Sequence, residues 1–291
     1  MRIGELIRKS EKPFFSVEFF PPSDPVALDT FYATVDDLAR LKPLFASVTY
    51  GAGGKKRDKT LEVTAEIGRR GLTAMAHLTC VGADEKGITD FVNGLRENGA
   101  RNILALRGDY PEDGSWSPEN ARFRNASDLL RFLKNQFPDM DAGVAVYPYP
   151  HPESPTFSDD RKWTAEKMAA GADFAITQLF FDVREYVDLV DNLKQRGVDA
   201  PIIPGIISIQ SFESLKRVLS LCGAHIPPKL YLRLEEASAK GGAEAVREEG
   251  AKIAVDMIRK LIELGAPGVH LYTLNKSQLC RQIIKESGLA N

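Results

Sequence analysis

In the segment FFSVEFFPP, residues 14–22, four phenylalanines and a valine surround one glutamate, Glu18. So apolar a strand belongs in a core, where a lone carboxylate is costly unless it is paired or neutral. By alternation Val17 and Phe19 face one way, and Ser16, Glu18 and Phe20 face the other. A carboxyl group held among aromatic rings is expected to have a raised pKa, which keeps it protonated near neutral pH as a general acid requires. A second carboxyl, Asp109, follows Arg107 and Gly108 at the end of another apolar run and is expected to stay ionised. Two carboxyls in unlike environments form the pattern that separates a proton donor from an electrostatic partner.

The elements that position these groups recur in one rhythm. Eight short apolar runs cover 14–20, 45–51, 72–80, 102–108, 142–149, 174–181, 201–208 and 268–274, and stretches with helical spacing separate them. The runs are continuous rather than alternating, as expected of parallel strands buried on both faces. Several helical stretches stop at glycine, in RRG, ENG and QRG, while NASD and SDD supply capping residues at helix starts. Eight strand–helix units in a chain of this length predict an α/β fold, a (β/α)8 TIM barrel, with residues 1–291 as a single domain. An open doubly wound sheet is the rival, but no GxGxxG follows the first strand. Residues 110–125 are a long βα loop, and the charged stretch beginning LEEASAKGG is expected to be a loop leading into the last long helix.

In such a barrel the C-terminal strand ends carry the active site. Those ends bring Glu18, Thr49 and Tyr50, His77 and Thr79, the Arg107–Asp109 run, Tyr147 with His151 beyond it, Gln178, and Tyr272 with Thr273 and Asn275 toward one rim. Taken singly, most have a plainer explanation. His77 suits a satisfied core histidine, Arg107 and Asp109 suit a rim ion pair, and the tyrosines suit packing. The segment YGAGGKKRDKT fails the Walker spacing, although its glycines permit close backbone approach to a flat ligand.

Composition narrows the classes. Hydrophobic residues are 43% and charged residues 27%, with a formal net charge of −2, so nothing argues for nucleic acid or an anionic membrane. MRIGELIRKSEKP lacks the apolar run of a signal peptide. Three dispersed cysteines, Cys80, Cys222 and Cys280, fit a reducing, cytoplasmic setting, and no HExxH or paired CxxC suggests a metal.

Eight motifs occur in order over nearly the whole chain: SVEFFPP, SVTYGAGG, AHLTC, ALRGD, YPYPHPE, AITQLFFD, IIPGI and HLYTLN. Together they closely resemble methylenetetrahydrofolate reductase of the short, bacterial type. The resemblance implies a (β/α)8 barrel that binds FAD without a Rossmann motif. It implies two half-reactions, hydride from NADH or NADPH to FAD and then reduction of 5,10-methylenetetrahydrofolate to 5-methyltetrahydrofolate. It places the general acid on Glu18 and gives Asp109 a catalytic role beside flavin and pterin. Gln178 would bond the pterin or the nicotinamide, and Lys276 would meet the folate glutamate tail. Thr49, Tyr50, Ala52, His77, Arg107 and Gly108 would line the FAD site together with Asp109. Ala126, Tyr147 and His151 would continue that lining, with Asp160 and Lys167 at the ribose and phosphate portion. Homo-oligomerisation is implied as well.

The chain departs from the family pattern at Trp163 and Glu166, where the adenosine end would lie, at Val218, and at Lys276, which keeps an arginine's charge without its fork. Two other readings stay open at this level: a folate-binding barrel methyltransferase, and a subunit of a larger redox complex fed by another electron source.

Overall fold

The alternation around Glu18 builds a barrel wall. A computed structural model describes residues 1–50, 57–111, 114 and 116–290 of the protein. Its strands are β1 (Phe14–Phe19), β2 (Ala46–Val48), β3 (Ala74–Thr79), β4 (Asn102–Leu106), β5 (Asp141–Val146), β6 (Phe174–Thr177), β7 (Ile202–Ile203), β8 (Gly205–Ile207) and β9 (Gly268–Tyr272). All pairings are parallel, in the order β7-β6-β5-β4-β3-β2-β1-β9-β8. Only Pro204 separates β7 from β8. Proline cannot donate to a ladder, so the seventh run divides there. Its first half pairs with β6 and its second with β9, and the sheet closes. The eight runs read from the sequence are thus the eight staves of a TIM barrel, one of them cut in two.

Val17 and Phe19 pack outward with residues of the surrounding helices, as expected. Those helices are α2 (Leu28–Ala39), α3 (Arg57–Arg69), α4 (Glu85–Glu97), α5 (Ala126–Gln136), α6 (Phe157–Ala169), α7 (Val183–Gln195), α8 (Phe212–Cys222), α9 (Pro228–Glu263) and α10 (Ser277–Ser287). Glycines 71, 99 and 197 end three of them in the left-handed region, as the RRG, ENG and QRG punctuation predicts. Asn125 caps α5 as read, but α6 is capped by Thr156 rather than by the SDD serine.

The N-terminal residues are built into the barrel. They form α1 (Ile3–Lys9), whose Ile3 and Ile7 join Phe14, Phe45, Met75, Leu104 and Phe174 in a second apolar cluster filling the lower barrel. Asn102 and Asp141, at the starts of β4 and β5, accept the N–H groups of Ile3 and Gly4 at 2.8 and 2.7 Å. Helix N-termini leave such donors unmet, and here strand residues meet them.

One sequence expectation fails. LEEASAKGG is helical, part of α9, and not a loop. Its leucine, alanine, glutamate and lysine residues are good helix formers, and Leu234 is fully buried. Only Gly241 and Gly242 leave helical geometry, and the Arg233–Glu249 pair spans that break.

Gly205 shows how tightly the upper barrel is filled. A Cβ there would lie 2.3 Å from the Thr177 carbonyl oxygen and 2.7 Å from the Tyr272 ring. Gly205→Ala is therefore expected to cost about 1–3 kcal/mol in chemical denaturation, by overpacking, and unchanged stability would contradict this packing.

Candidate active site

Climbing the barrel interior from α1, apolar side chains give way to polar ones. On β1 Phe14 is followed on the same face by Ser16 and Glu18; β2 continues Phe45 with Ser47, β3 Met75 with His77, and β9 Gly268 with His270 and Tyr272. The parallel register sets Glu18 beside Ser47 on one side and Tyr272 on the other, and Ser16 beside His270.

Glu18 is 5% exposed and His77 7%. The Glu18 Oε2 atom lies 3.3 Å from His77 Nε2, 3.6 Å from His270 Nε2 and 3.5 Å from the Ser47 hydroxyl. The Ser47 hydroxyl is 3.2 Å from His270 Nε2, and the Ser16 hydroxyl is 2.8 Å from His270 Nδ1. One proton assignment satisfies this chain: Ser16 donates to His270 Nδ1, His270 Nε2–H donates to Ser47, and Ser47 donates to Glu18. His270 also stacks on Phe45, which fixes its ring plane.

The chain ends on a carboxylate, and this corrects the raised pKa expected for Glu18. Burial does push the pKa up, but the imidazoles of His270 and His77 pull it down further, to about 2. Burial holds the His270 imidazole below its ordinary value. His77 Nε2 is close to Glu18 but misaligned, and it has no hydrogen-bond partner. An orphaned polar atom in so enclosed a place awaits a ligand or water.

The other predicted residues fall into three groups around this cluster. Gln178 Oε1 accepts the Leu179 N–H at 2.9 Å, and His151 packs edge-on against Tyr147 with centroids 4.8 Å apart. His151 Nδ1 accepts the Glu153 N–H at 3.1 Å, and Asp160 Oδ1 accepts the His151 N–H at 2.9 Å. Burial lowers the His151 pKa and raises that of the Tyr147 phenol. Lys167, on α6, donates to the Ala145 carbonyl, and burial drives its pKa down to about 8.

On the rim, Arg107 does not pair with Asp109. It pairs with Glu153, Nη1 to Oε2 at 2.5 Å and Nη2 to Oε1 at 2.8 Å, and lies over the Tyr110 ring. Gly108 has φ +88°, a turn that leaves Asp109 exposed. Thr49 and Tyr50 stand half-buried at the end of β2, and Ala126 opens α5. Lys276 is exposed just before α10, its N–H donating to the Thr273 carbonyl at 2.9 Å. Trp163 and Glu166 are exposed on α6, and Val218 is partly buried against the core on α8. Ala52 lies outside the described residues.

Sequence reasoning missed four contributors. His270 was hidden inside HLYTLN, although its spacing from Tyr272 marks a shared face. Ser47 sits in register with Glu18. Glu153, in YPYPHPE, takes the Arg107 fork. Arg161 is buried and donates to the Tyr147 and Pro148 carbonyls at 2.9 and 2.5 Å, and reaches Asp188 at 3.2 Å. It fixes the path of the segment that carries Tyr147.

A closed parallel barrel with a buried carboxylate and two imidazoles gathered toward the C-terminal ends of its strands has the build of a barrel enzyme. The family model described as methylenetetrahydrofolate reductase matches residues 2–288. The 5,10-methylenetetrahydrofolate reductase of Salmonella typhimurium is 38% identical over 275 residues, 94% of this chain and 90% of that one. The probable methylenetetrahydrofolate reductase (NADH) of Oryza sativa is 32% identical over 304 residues, 99% of this chain and 51% of that one. A solved structure described as an uncharacterized protein from Clostridium thermocellum that binds two copies of 5-methyl-5,6,7,8-tetrahydrofolic acid matches with a TM-score of 0.68, covering 98% of both chains at 13% identity, a likeness of fold. The chain belongs to the methylenetetrahydrofolate reductase family. Among the described residues no helix is long and apolar enough to cross a membrane.

The sign of the Glu18 shift fixes a pH effect. With its folded pKa lowered from 4.5 to about 2, the carboxylate contributes stability that is complete above about 4.5 and lost as pH falls toward 2. His77→Leu removes one of the groups that lower it. Urea denaturation across this range should show a smaller loss that ends at higher pH in the variant, and superimposable profiles would contradict the assignment.

Proposed function

We propose that the protein reduces 5,10-methylenetetrahydrofolate to 5-methyltetrahydrofolate, with FAD as cofactor and a reduced nicotinamide as electron donor. The observation that carries this reading is the buried Glu18 carboxyl held close to both His77 and His270 toward the C-terminal end of the barrel. Opening the folate five-membered ring needs a proton at a ring nitrogen, and Glu18 is the group that gives it. In the free protein, imidazole and hydroxyl donors keep Glu18 charged against a large desolvation penalty. A flat ligand over the cluster excludes water and competes for those donors. Desolvation then prevails, and the carboxyl takes up a proton where it is needed.

The residues present suit a flavin. His77 Nε2 makes no hydrogen bond, although it lies 3.3 Å from the Glu18 carboxyl, and the half-buried Lys167 ammonium uses one of its three N–H groups on the Ala145 carbonyl. Both are unmet donors of the kind that a polar, phosphate-bearing cofactor satisfies. Thr49, Tyr50, Arg107, Gly108, Ala126, Tyr147, His151 and Asp160 would complete its binding, with Ala52 beside them. When bound, FAD supplies the hydride chemistry. Asp109, exposed on the rim, contributes negative charge that tunes the flavin and helps orient folate, while Gln178 bonds the pterin or the nicotinamide. Lys276 is placed to attract an anionic folate tail. The name of the rice relative, which specifies NADH, supports a nicotinamide donor.

Glu18→Gln tests the assignment. Anaerobic mixing should show nicotinamide-dependent bleaching of bound flavin at near wild-type rate, with the folate step reduced by about a hundredfold or more, the range of general-acid catalysis. Folate reduction at wild-type rate would remove the role. Asp109→Asn should raise the flavin midpoint potential and weaken folate binding, and an unchanged potential would contradict its electrostatic part.

A further inference from the structure

The backbone behind Glu18 is held by side chains rather than by the sheet ladder alone. Beyond Tyr272 the chain turns through Leu274 and Asn275, both in the left-handed region with φ of 46° and 57°. Asparagine tolerates that conformation, while leucine rarely adopts it. The turn presents two side chains to the end of β1. The Thr273 hydroxyl donates to the Glu18 carbonyl at 2.5 Å and accepts the Asn275 N–H at 3.0 Å. The Asn275 amide makes two bonds to Phe20: Nδ2 donates to its carbonyl at 2.7 Å, and Oδ1 accepts its N–H at 3.1 Å. The β1–β9 register runs from Phe14 to Glu18, so these side chains continue the pairing for two residues after the backbone ladder stops.

We infer that Thr273 and Asn275 are positioning residues for the proposed acid. They grip the peptide groups on the C-terminal side of Glu18 and thereby set where its carboxyl stands relative to His77, His270 and Ser47. Strained backbone persists where the surroundings over-determine it, and here four hydrogen bonds hold the strained turn. The inference rests on the reading of Glu18 as proton donor. Neither side chain needs to touch a ligand for it to hold.

Three variants test it. Thr273→Val keeps shape and loses the hydroxyl, Thr273→Ser keeps the hydroxyl, and Asn275→Gly keeps left-handed backbone while deleting the bridge to Phe20. Bound-flavin absorbance would be followed anaerobically, first with NADH or NADPH and then with 5,10-methylenetetrahydrofolate, across pH. Thr273→Val and Asn275→Gly should slow the folate step by about tenfold, the effect of one lost hydrogen bond to a well-placed group. They should also displace its pH profile and leave the nicotinamide step within about twofold, while Thr273→Ser should keep the folate step near the wild-type rate. Equal slowing of both steps, a wild-type folate step with an unmoved profile, or a Thr273→Ser protein as impaired as Thr273→Val would overturn the inference. A wild-type protein that bleaches with nicotinamide but never passes hydride to folate would overturn the proposed function itself, and this inference with it.

Discussion

The structure turns on a contest over one carboxyl group. Burial of Glu18 favours the neutral acid, while His77, His270 and the serine-linked chain favour the anion. Both effects are large because water is nearly absent, and their balance is therefore sensitive to anything that enters the barrel mouth. A fully exposed glutamate would have no such leverage, and one buried among phenylalanines alone would be locked as an acid. The protein places the group between these limits.

The rest of the fold serves that placement. The lower barrel is sealed by α1 and a plug of phenylalanines, so the polar cluster stands on a dry floor. Phe45 both fills that floor and stacks on His270, joining the apolar plug to the imidazole above it. The cut in the seventh stave at Pro204 leaves the barrel closed. Gly205, just after it, gives Tyr272 room to reach the Thr177 carbonyl at 2.7 Å. On the opposite wall Arg161 and Tyr149 pin the segment that carries Tyr147 and His151, with the Tyr149 hydroxyl donating to the Cys222 carbonyl at the end of α8.

The barrel was legible in the sequence because its strands are short apolar runs at even spacing and its helices are punctuated by glycine. Both signals are local. The position of Glu18 on an inward face was legible for the same reason. Its charge state was not, because that depends on His77 and His270, distant in sequence and joined to it only by strand register. The plainer alternative for Arg107 and Asp109, an ion pair between the two, failed similarly: near neighbours in sequence suggested it, whereas the chain returns Glu153 to Arg107 from the next βα loop. The first half of α9 was misread because its polar residues looked like loop, although Leu234 and Ala237 face the core. The family resemblance assigned roles to Asp109 and Lys167, but it could not indicate that Asp109 is exposed or that Lys167 is half-buried.

The most direct test of the central claim is the protonation state of Glu18 with and without folate. Protein labelled with carbon-13 at the glutamate carboxyl, with the Glu18 signal identified by its loss in Glu18→Gln, would be titrated in both states. The account predicts an ionised carboxyl in the free protein down to strongly acidic pH, and a protonated one near neutrality once 5-methyltetrahydrofolate or a folate analogue occupies the mouth. A carboxyl that is already protonated at neutral pH in the free protein, or one that stays ionised with folate bound, would contradict it.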